Sequence, residues 1–165
     1  MALNADNILD LIRKNFGDSS VEFSDINSTP PCITIKKELL LQICEFLKDN
    51  CSFDMLSCIT GIDNYPENNS MEVIYNLNSI PEEMQIALRI IFDRPELPDL
   101  PEAESVSSVW STANWHERET YDLMGIYFRN HPDLRRILLP ADWKDHPLRK
   151  DYKTGDYYHN VKIDY

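Results

Sequence analysis

The sequence predicts an α+β fold: a mixed, mostly antiparallel sheet of about four strands, helices packed on it, and an extended C-terminal arm. Three observations carry this. Two neighbouring stretches alternate apolar and polar residues with period two, three others repeat apolar residues at helical spacing, and the stretch from Tyr127 to the end does neither. A chain of 165 residues is long enough for one core, and its 42% hydrophobic and 27% charged residues are ordinary for a globular protein.

The first helix is expected over Asn7–Phe16, where Ile8, Leu11, Ile12 and Asn15 share helical spacing, with Asp6 as N-cap and Gly17 as the stop. Short strands at Val21–Ile26 and Cys32–Ile35 flank a turn containing Pro30 and Pro31. A second amphipathic helix, Glu38–Lys48, puts Leu39, Leu40, Ile43, Phe46 and Leu47 on its apolar side. This β–β–α opening suits a mixed sheet with a helix on one face.

Phe53–Ile62 is a mostly apolar run closed by a polar turn at 64–70. Met71, Val73, Tyr75 and Leu77 then alternate with polar neighbours, as do Met84, Ile86, Leu88, Ile90 and Phe92, which predicts two adjacent antiparallel strands. Arg94–Glu104 holds three prolines and four acids and reads as a loop through which the sheet cannot continue. Val106–Met124 reads as helical turns followed by a longer helix ending at Gly125, with Val106, Val109, Trp110, Ala113 and Tyr121 available to pack on the sheet. From Tyr127 onward, Pro132, Pro140 and Pro147 interrupt a segment too apolar for plain disorder and too irregular for a core. The chain therefore divides into a core domain, 1–126, and an arm, 127–165, which is expected to order on a partner.

Charge follows the same division. Residues 1–128 hold 8 Lys+Arg and 22 Asp+Glu, a net of −14, whereas residues 129–153 hold 7 and 4, a net of +3. An acidic body argues against nucleic acid, and a basic segment attached to it suggests docking on another surface. No stretch approaches the ~18 apolar residues of a membrane helix. The opening MALNADNILDLIRKNFGD lacks the order of a signal peptide, so the chain is expected on the cytosolic side, in contact with a membrane only through partners. Cys32, Cys44, Cys51 and Cys58 form no CxxC and none of the ferredoxin runs that hold iron–sulfur clusters, and they read as structural thiols.

The densest chemistry is Trp115-His116-Glu117-Arg118-Glu119. Arg118 and Asp122, four apart, can pair on one helix face. Glu117 and Glu119 point different ways and make no acid/base couple. A stand-alone metal-dependent hydrolase built on His116, Glu117 and Glu119 lacks the second histidine of HExxH and a third strong ligand. The reading favoured instead is a buried arginine held by two or three carboxylates. No GxGxxG, GxxxxGK or GxSxG pattern occurs.

Asn114–Tyr152 reads NWHERETYDLMGIYFRNHPDLRRILLPADWKDHPLRKDY. This resembles the signature region of the C subunit (the thirty-kilodalton subunit) of respiratory complex I, the proton-pumping NADH:quinone oxidoreductase. Glu117, Arg118 and Glu119 match the motif's opening, and Asp122, Leu123 and Met124 its acid and apolar pair. His131, Arg135 or Arg136, and Ile137-Leu138 match the central part, and Pro147, Leu148, Arg149, Lys150, Asp151 and Tyr152 its close. Looser similarity extends back to residue 53. Asp145 departs from the pattern, because the family commonly has glycine between Trp143 and the closing stretch.

The resemblance implies a cofactor-free structural subunit of the quinone module in the peripheral arm. FMN and iron–sulfur clusters would lie on other subunits. The expected partners are the large quinone-site subunit (the forty-nine-kilodalton, or D, subunit) and neighbouring iron–sulfur subunits, on the cytoplasmic side of the cell membrane or the matrix or stromal side in an organelle. It implies an interface role for the signature residues, with Trp143 and Tyr152 as apolar anchors and the arginines as forks for carboxylates. An equivalent subunit in membrane-bound nickel–iron hydrogenases or other-donor complexes is the alternative.

Overall fold

A computed structural model describes residues 4–163 of the chain. The two alternating stretches pair antiparallel as β4 (Ser70–Ser79) and β5 (Met84–Asp93), with Val73 opposite Ile90 and Tyr75 opposite Leu88. The register puts Met71, Val73, Tyr75 and Leu77 on the same face as Ile86, Leu88, Ile90 and Phe92, and all eight are buried. β1 (Val21–Asp25) and β2 (Cys32–Ile35) pair antiparallel, and β2 joins β5 in the sheet's one parallel contact.

The mixed sheet has five strands, one beyond the four or so expected. The apolar run after residue 53 is β3 (Met55–Asp63), the edge strand beside β4 in the order β1-β2-β5-β4-β3. A bulge between Leu56 and Cys58 shifts its alternation, which hides the period of two from the sequence. The acidic proline loop also yields a strand, β6 (Glu102–Glu104). It pairs parallel with β7 (Tyr127–Arg129) outside the main sheet, so the sheet indeed stops before the prolines.

Helices α1 (Ala5–Phe16), α2 (Leu40–Cys51) and α3 (Ala113–Met124) add Ile8, Ile12, Ile43, Leu47, Ala113 and Met124 to the same core. α1 is capped by Asn4, whose side chain accepts the Asn7 N–H at 2.8 Å; Asp6 lies inside the first turn, where an acid suits the helix dipole. α3 crosses β3 at Gly61, which is paired with Val73 of β4. A Cβ there would lie 3.0 Å from both Thr120 Cγ2 and Met124 Cγ, so the missing side chain sets the approach of helix to sheet. Trp110 at the entry to α3 is locked by its indole N–H donating to the Phe53 carbonyl at 3.0 Å. The opposite sheet face, with Glu72, Ile74, Asn76 and Arg89, stays partly exposed.

Past β7 the chain is mostly turns, closed by a two-strand hairpin of β8 (Tyr157–Tyr158) and β9 (Val161–Lys162). It does not stand off from the body. From Tyr127 to Asp151 the arm is bonded back to α3 and to the sheet, which revises the expectation that a partner alone would order it.

Candidate functional site

Helix α3 buries three charged residues, Glu117, Arg118 and Asp122, an unfavourable arrangement unless each is satisfied. Asp122 is the most connected. Its Oδ2 accepts the backbone N–H groups of Ile137, Leu138 and Leu139 at 3.0, 2.8 and 2.9 Å, and its Oδ1 accepts Arg136 Nη1 at 2.7 Å. Burial alone would raise the pKa of this carboxyl, but the Leu139, Leu138 and Ile137 N–H groups with Arg136 outweigh it and hold Asp122 below the usual carboxylate range. The Asp122 carbonyl also accepts Arg136 Nη1 at 2.9 Å and His146 Nδ1 at 3.0 Å.

The Arg118–Asp122 pair expected from their spacing does not form. Arg118 is buried and donates to main-chain carbonyls, Nε to Arg135 O at 3.1 Å and Nη2 to Arg136 O at 3.3 Å, while its guanidinium lies over the Trp115 ring. Arg118, donating to the arm's carbonyls, and Asp122, accepting from its amides, thus clamp the arm at 135–139. The helix ends at Gly125, with φ +68°; a Cβ there would sit 2.4 Å from His146 Cδ2, so only glycine lets the His146 ring seat. Burial lowers the His146 pKa and keeps the imidazole neutral in this seat.

The arginine held by two carboxylates exists, but it is Arg94. Its Nε and Nη2 form a fork on Asp63 at 2.8 and 3.1 Å, and Nη2 also reaches Asp151 Oδ1 at 2.6 Å. Asp63 in addition accepts the Lys150 N–H at 2.9 Å, and Arg149 donates to the Pro95 carbonyl at 2.9 Å. The end of β3, the first residues after β5 and the closing signature stretch are thereby tied together. Sequence reasoning missed Arg94 and His146, and Asp63 entered it only as part of the looser similarity, because the bonds that tie them to other segments span 24 or more residues and no local period marks them.

The remaining signature residues fall elsewhere. Glu117 and the His131 side chain are buried together, whereas Glu119 is exposed, so His116, Glu117 and Glu119 do not converge as metal ligands. Arg135 is 71% exposed and, among the described residues, pairs only with nearby Asp133. Pro147 is half-buried, Lys150 and Asp151 are largely exposed, and Trp143 and Tyr152 line a cavity of about 430 Å³ with Tyr157 and Tyr158. Large apolar side chains nevertheless point outward: Trp115 at 61%, Leu138 at 61% and Leu148 at 57% exposure. All three are on α3 or on backbone bonded directly to it, since the Leu138 N–H reaches Asp122 and the Leu148 N–H reaches the Leu123 carbonyl at 2.9 Å.

Residues 33–158 match the family described as respiratory-chain NADH dehydrogenase, 30 kDa subunit. The chain belongs to this family. It is 37% identical over 161 residues to the C subunit of the NADH-quinone oxidoreductase of Chlorobium phaeobacteroides, covering 94% of this chain and 93% of that one. It is 42% identical over 120 residues to the C subunit of the F(420)H(2) dehydrogenase of Methanosarcina mazei, covering 72% of this chain and 73% of that one. Among solved structures it resembles the trypsin-resistant fragment of Nqo5, with a TM-score of 0.62 and 26% identity over 77% of this chain and 99% of that one. A chain of an archaeal membrane-bound sulfane sulfur reductase shares the fold, with a TM-score of 0.74 over 90% of this chain and 85% of that one, at 18% identity.

In this member of the family, then, the signature is chiefly internal: Asp122, Arg118, Arg136 and Arg149 hold the arm against the body and leave Trp115, Leu138, Leu148 and Arg135 outward. The departure at Asp145 has a backbone consequence. Its φ is +60°, the left-handed region in which glycine is comfortable and aspartate is strained. The described residues include no helix long and apolar enough to cross a membrane.

Proposed function

We propose that this chain is a structural subunit of a membrane-bound NADH:quinone oxidoreductase, carrying no cofactor itself and supporting electron transfer from NADH to quinone by holding its neighbours in register. The observation that carries this reading is the outward set of Trp115, Leu138, Leu148 and Arg135 on a segment fixed to the body by Asp122 and Arg118. A surface of this kind, with aromatic and aliphatic anchors beside an arginine, is what a subunit interface uses. The partners are the other subunits of the complex, chiefly its large quinone-site subunit and adjacent iron–sulfur subunits, with FMN and the clusters on those chains. Contact with the membrane is through them, on the cytoplasmic, matrix or stromal side.

The similarity to an F(420)H(2) dehydrogenase subunit supports a second reading in which the same scaffold serves a donor other than NADH. Purification of the tagged chain from native membranes, followed by assay of the eluate for quinone reduction with NADH, reduced deazaflavin and hydrogen, tests both. Co-eluting subunits with NADH-driven activity support the first reading, and activity with another donor alone supports the second. A chain that elutes alone and catalyses turnover unaided refutes both.

A further inference from the structure

One buried acid on α3 takes no part in pinning the arm to the sheet. Glu117 is fully buried, and among the described residues no Lys or Arg lies within ion-pair reach of it. The Val106 N–H donates to Oε1 at 2.7 Å and the Ser105 hydroxyl to Oε2 at 2.6 Å. His131 Nε2 is 3.9 Å from Oε2, and that side chain is also fully buried. The Asp133 N–H donates to His131 Nδ1 at 3.0 Å, so the ring proton is on Nε2, where it meets the Asn114 carbonyl at 3.1 Å. The imidazole is therefore neutral and supplies no full countercharge.

The other groups that face Glu117 are no better suited to offset a charge. Cys44 of α2 and Tyr75 of β4 are buried, and both have their pKa values raised, by burial first and then by the Glu117 charge. Arg118 turns away to the carbonyls of 135 and 136, and Lys48 is held by the Val109 carbonyl.

The serines give this acid a connection outward. Ser105 Oγ lies between Glu117 Oε2, at 2.6 Å, and Ser107 Oγ, at 2.8 Å, and either serine of that pair can donate to the other. The Ser107 N–H holds Ser105 in place at 3.2 Å. With Glu117 ionised, the Ser105 O–H points to Oε2 and the Ser107 O–H to Ser105. With a proton on Oε2, that new O–H donates to Ser105 Oγ, the Ser105 O–H turns to Ser107 Oγ, and the Ser107 O–H turns outward. Both states satisfy every hydroxyl by rotation alone. Ser107 is half-buried, so the two hydroxyls lead from the buried carboxyl toward the surface.

We propose that Glu117, Ser105 and Ser107 form a reversible proton-binding site, in which one proton exchanges with solvent along the two serine hydroxyls and rests on the Glu117 carboxyl. The step balances as uptake of one proton and formation of one O–H bond, with no redox partner. Burial pushes the Glu117 carboxyl up to about 7, against the smaller downward pull of the Ser105 and Val106 donors, so the site exchanges its proton around neutrality. This site is independent of the docking reading, because it needs no partner.

The test is a carbon-13 NMR titration of the full chain labelled at the glutamate carboxyls, from pH 4 to 9. One carboxyl should titrate near 7 and be missing in Glu117→Gln. Ser105→Ala, which removes a donor to the charged form, should move that midpoint up. Ser107→Ala strands the buried Ser105 O–H without an acceptor in the protonated form, whereas in the ionised form Ser105 still donates to Oε2 and accepts the main-chain N–H of residue 107, so it should move the midpoint down. Each shift should be roughly half a unit or more, the equivalent of one hydrogen bond. The unfolding constant of the native chain should also rise about tenfold per pH unit between 5 and 7 relative to Glu117→Gln. A Glu117 midpoint near the ordinary glutamate value of about 4.3 would overturn the proposal. Serine variants that shift the midpoint in the same direction, or not at all, would overturn the relay. If Glu117→Gln does not fold, the opposite shifts in the two serine variants decide the matter on their own.

Discussion

Replacing Asp122 by Asn keeps the shape of the side chain and removes its charge. Four hydrogen bonds converge on this carboxylate, three from main-chain N–H groups of the arm and one from Arg136, whose side chain is only 14% exposed. Asn can still offer one oxygen to the three amides, but its NH₂ then faces the Arg136 guanidinium, donor against donor. Removing one partner of a buried pair costs about 3–5 kcal/mol, a large part of the roughly 5–15 kcal/mol by which a domain is stable. The loss should concentrate in the arm. Urea unfolding of the isolated chain should show the reduced stability, and hydrogen exchange should show lost protection at the Ile137, Leu138 and Leu139 amides while β4 and β5 keep theirs. The pH dependence has a definite sign. Because the folded state holds Asp122 below the usual carboxylate range, its contribution is present above the unfolded value and is lost as pH falls through the folded one. Asp122→Asn should accordingly show a shallower acid-side decline than the native chain. A cost below about 1 kcal/mol with unchanged amide protection would refute the clamp.

Arg149→Ala and Arg135→Ala should separate internal from external arginines. Arg149 is buried against the Pro95 carbonyl, so its loss should destabilise the isolated chain by about 2–4 kcal/mol in urea unfolding. Arg135 is exposed, so its loss should leave that curve within about 0.5 kcal/mol and weaken only assembly, read as partner yield. Asp145→Gly should stabilise the chain by up to about 1 kcal/mol, since it relieves a left-handed residue while leaving the carbonyl that accepts Arg136 in place; thermal unfolding measures it.

The sheet's central hairpin and the three helices could be read from the sequence because local periodicity encodes them, and the interruption at 94–104 because prolines mark it. The edge strand β3 could not, since its bulge and its buried run blur the alternation. The signature segment was legible as a block, but the roles within it were not. Arg118 and Asp122 have the spacing of a helix-surface pair, yet each is claimed by the arm, Arg118 by two carbonyls and Asp122 by three amides and Arg136. Burial decides this, and burial on α3 depends on where the arm returns, which no spacing on the helix reports. Asp63, Arg94 and Asp151 illustrate the same limit: three separate segments supply one ion cluster. The arm's basic charge suggested an outward role, which the exposed Arg129, Arg135, Lys144, Lys150 and Lys153 allow, whereas Arg136 and Arg149 are engaged internally.

The most direct measurement of the docking surface is the yield of co-purifying subunits from native membranes with tagged Trp115→Asp/Leu148→Asp. Both side chains are exposed in the isolated chain, so the variant should still fold, losing about 0.5–1 kcal/mol with the Arg118–Trp115 ring contact, and it should arrive largely without its partners and without the associated quinone reductase activity. A variant that brings down the full set of subunits at native stoichiometry would contradict the account.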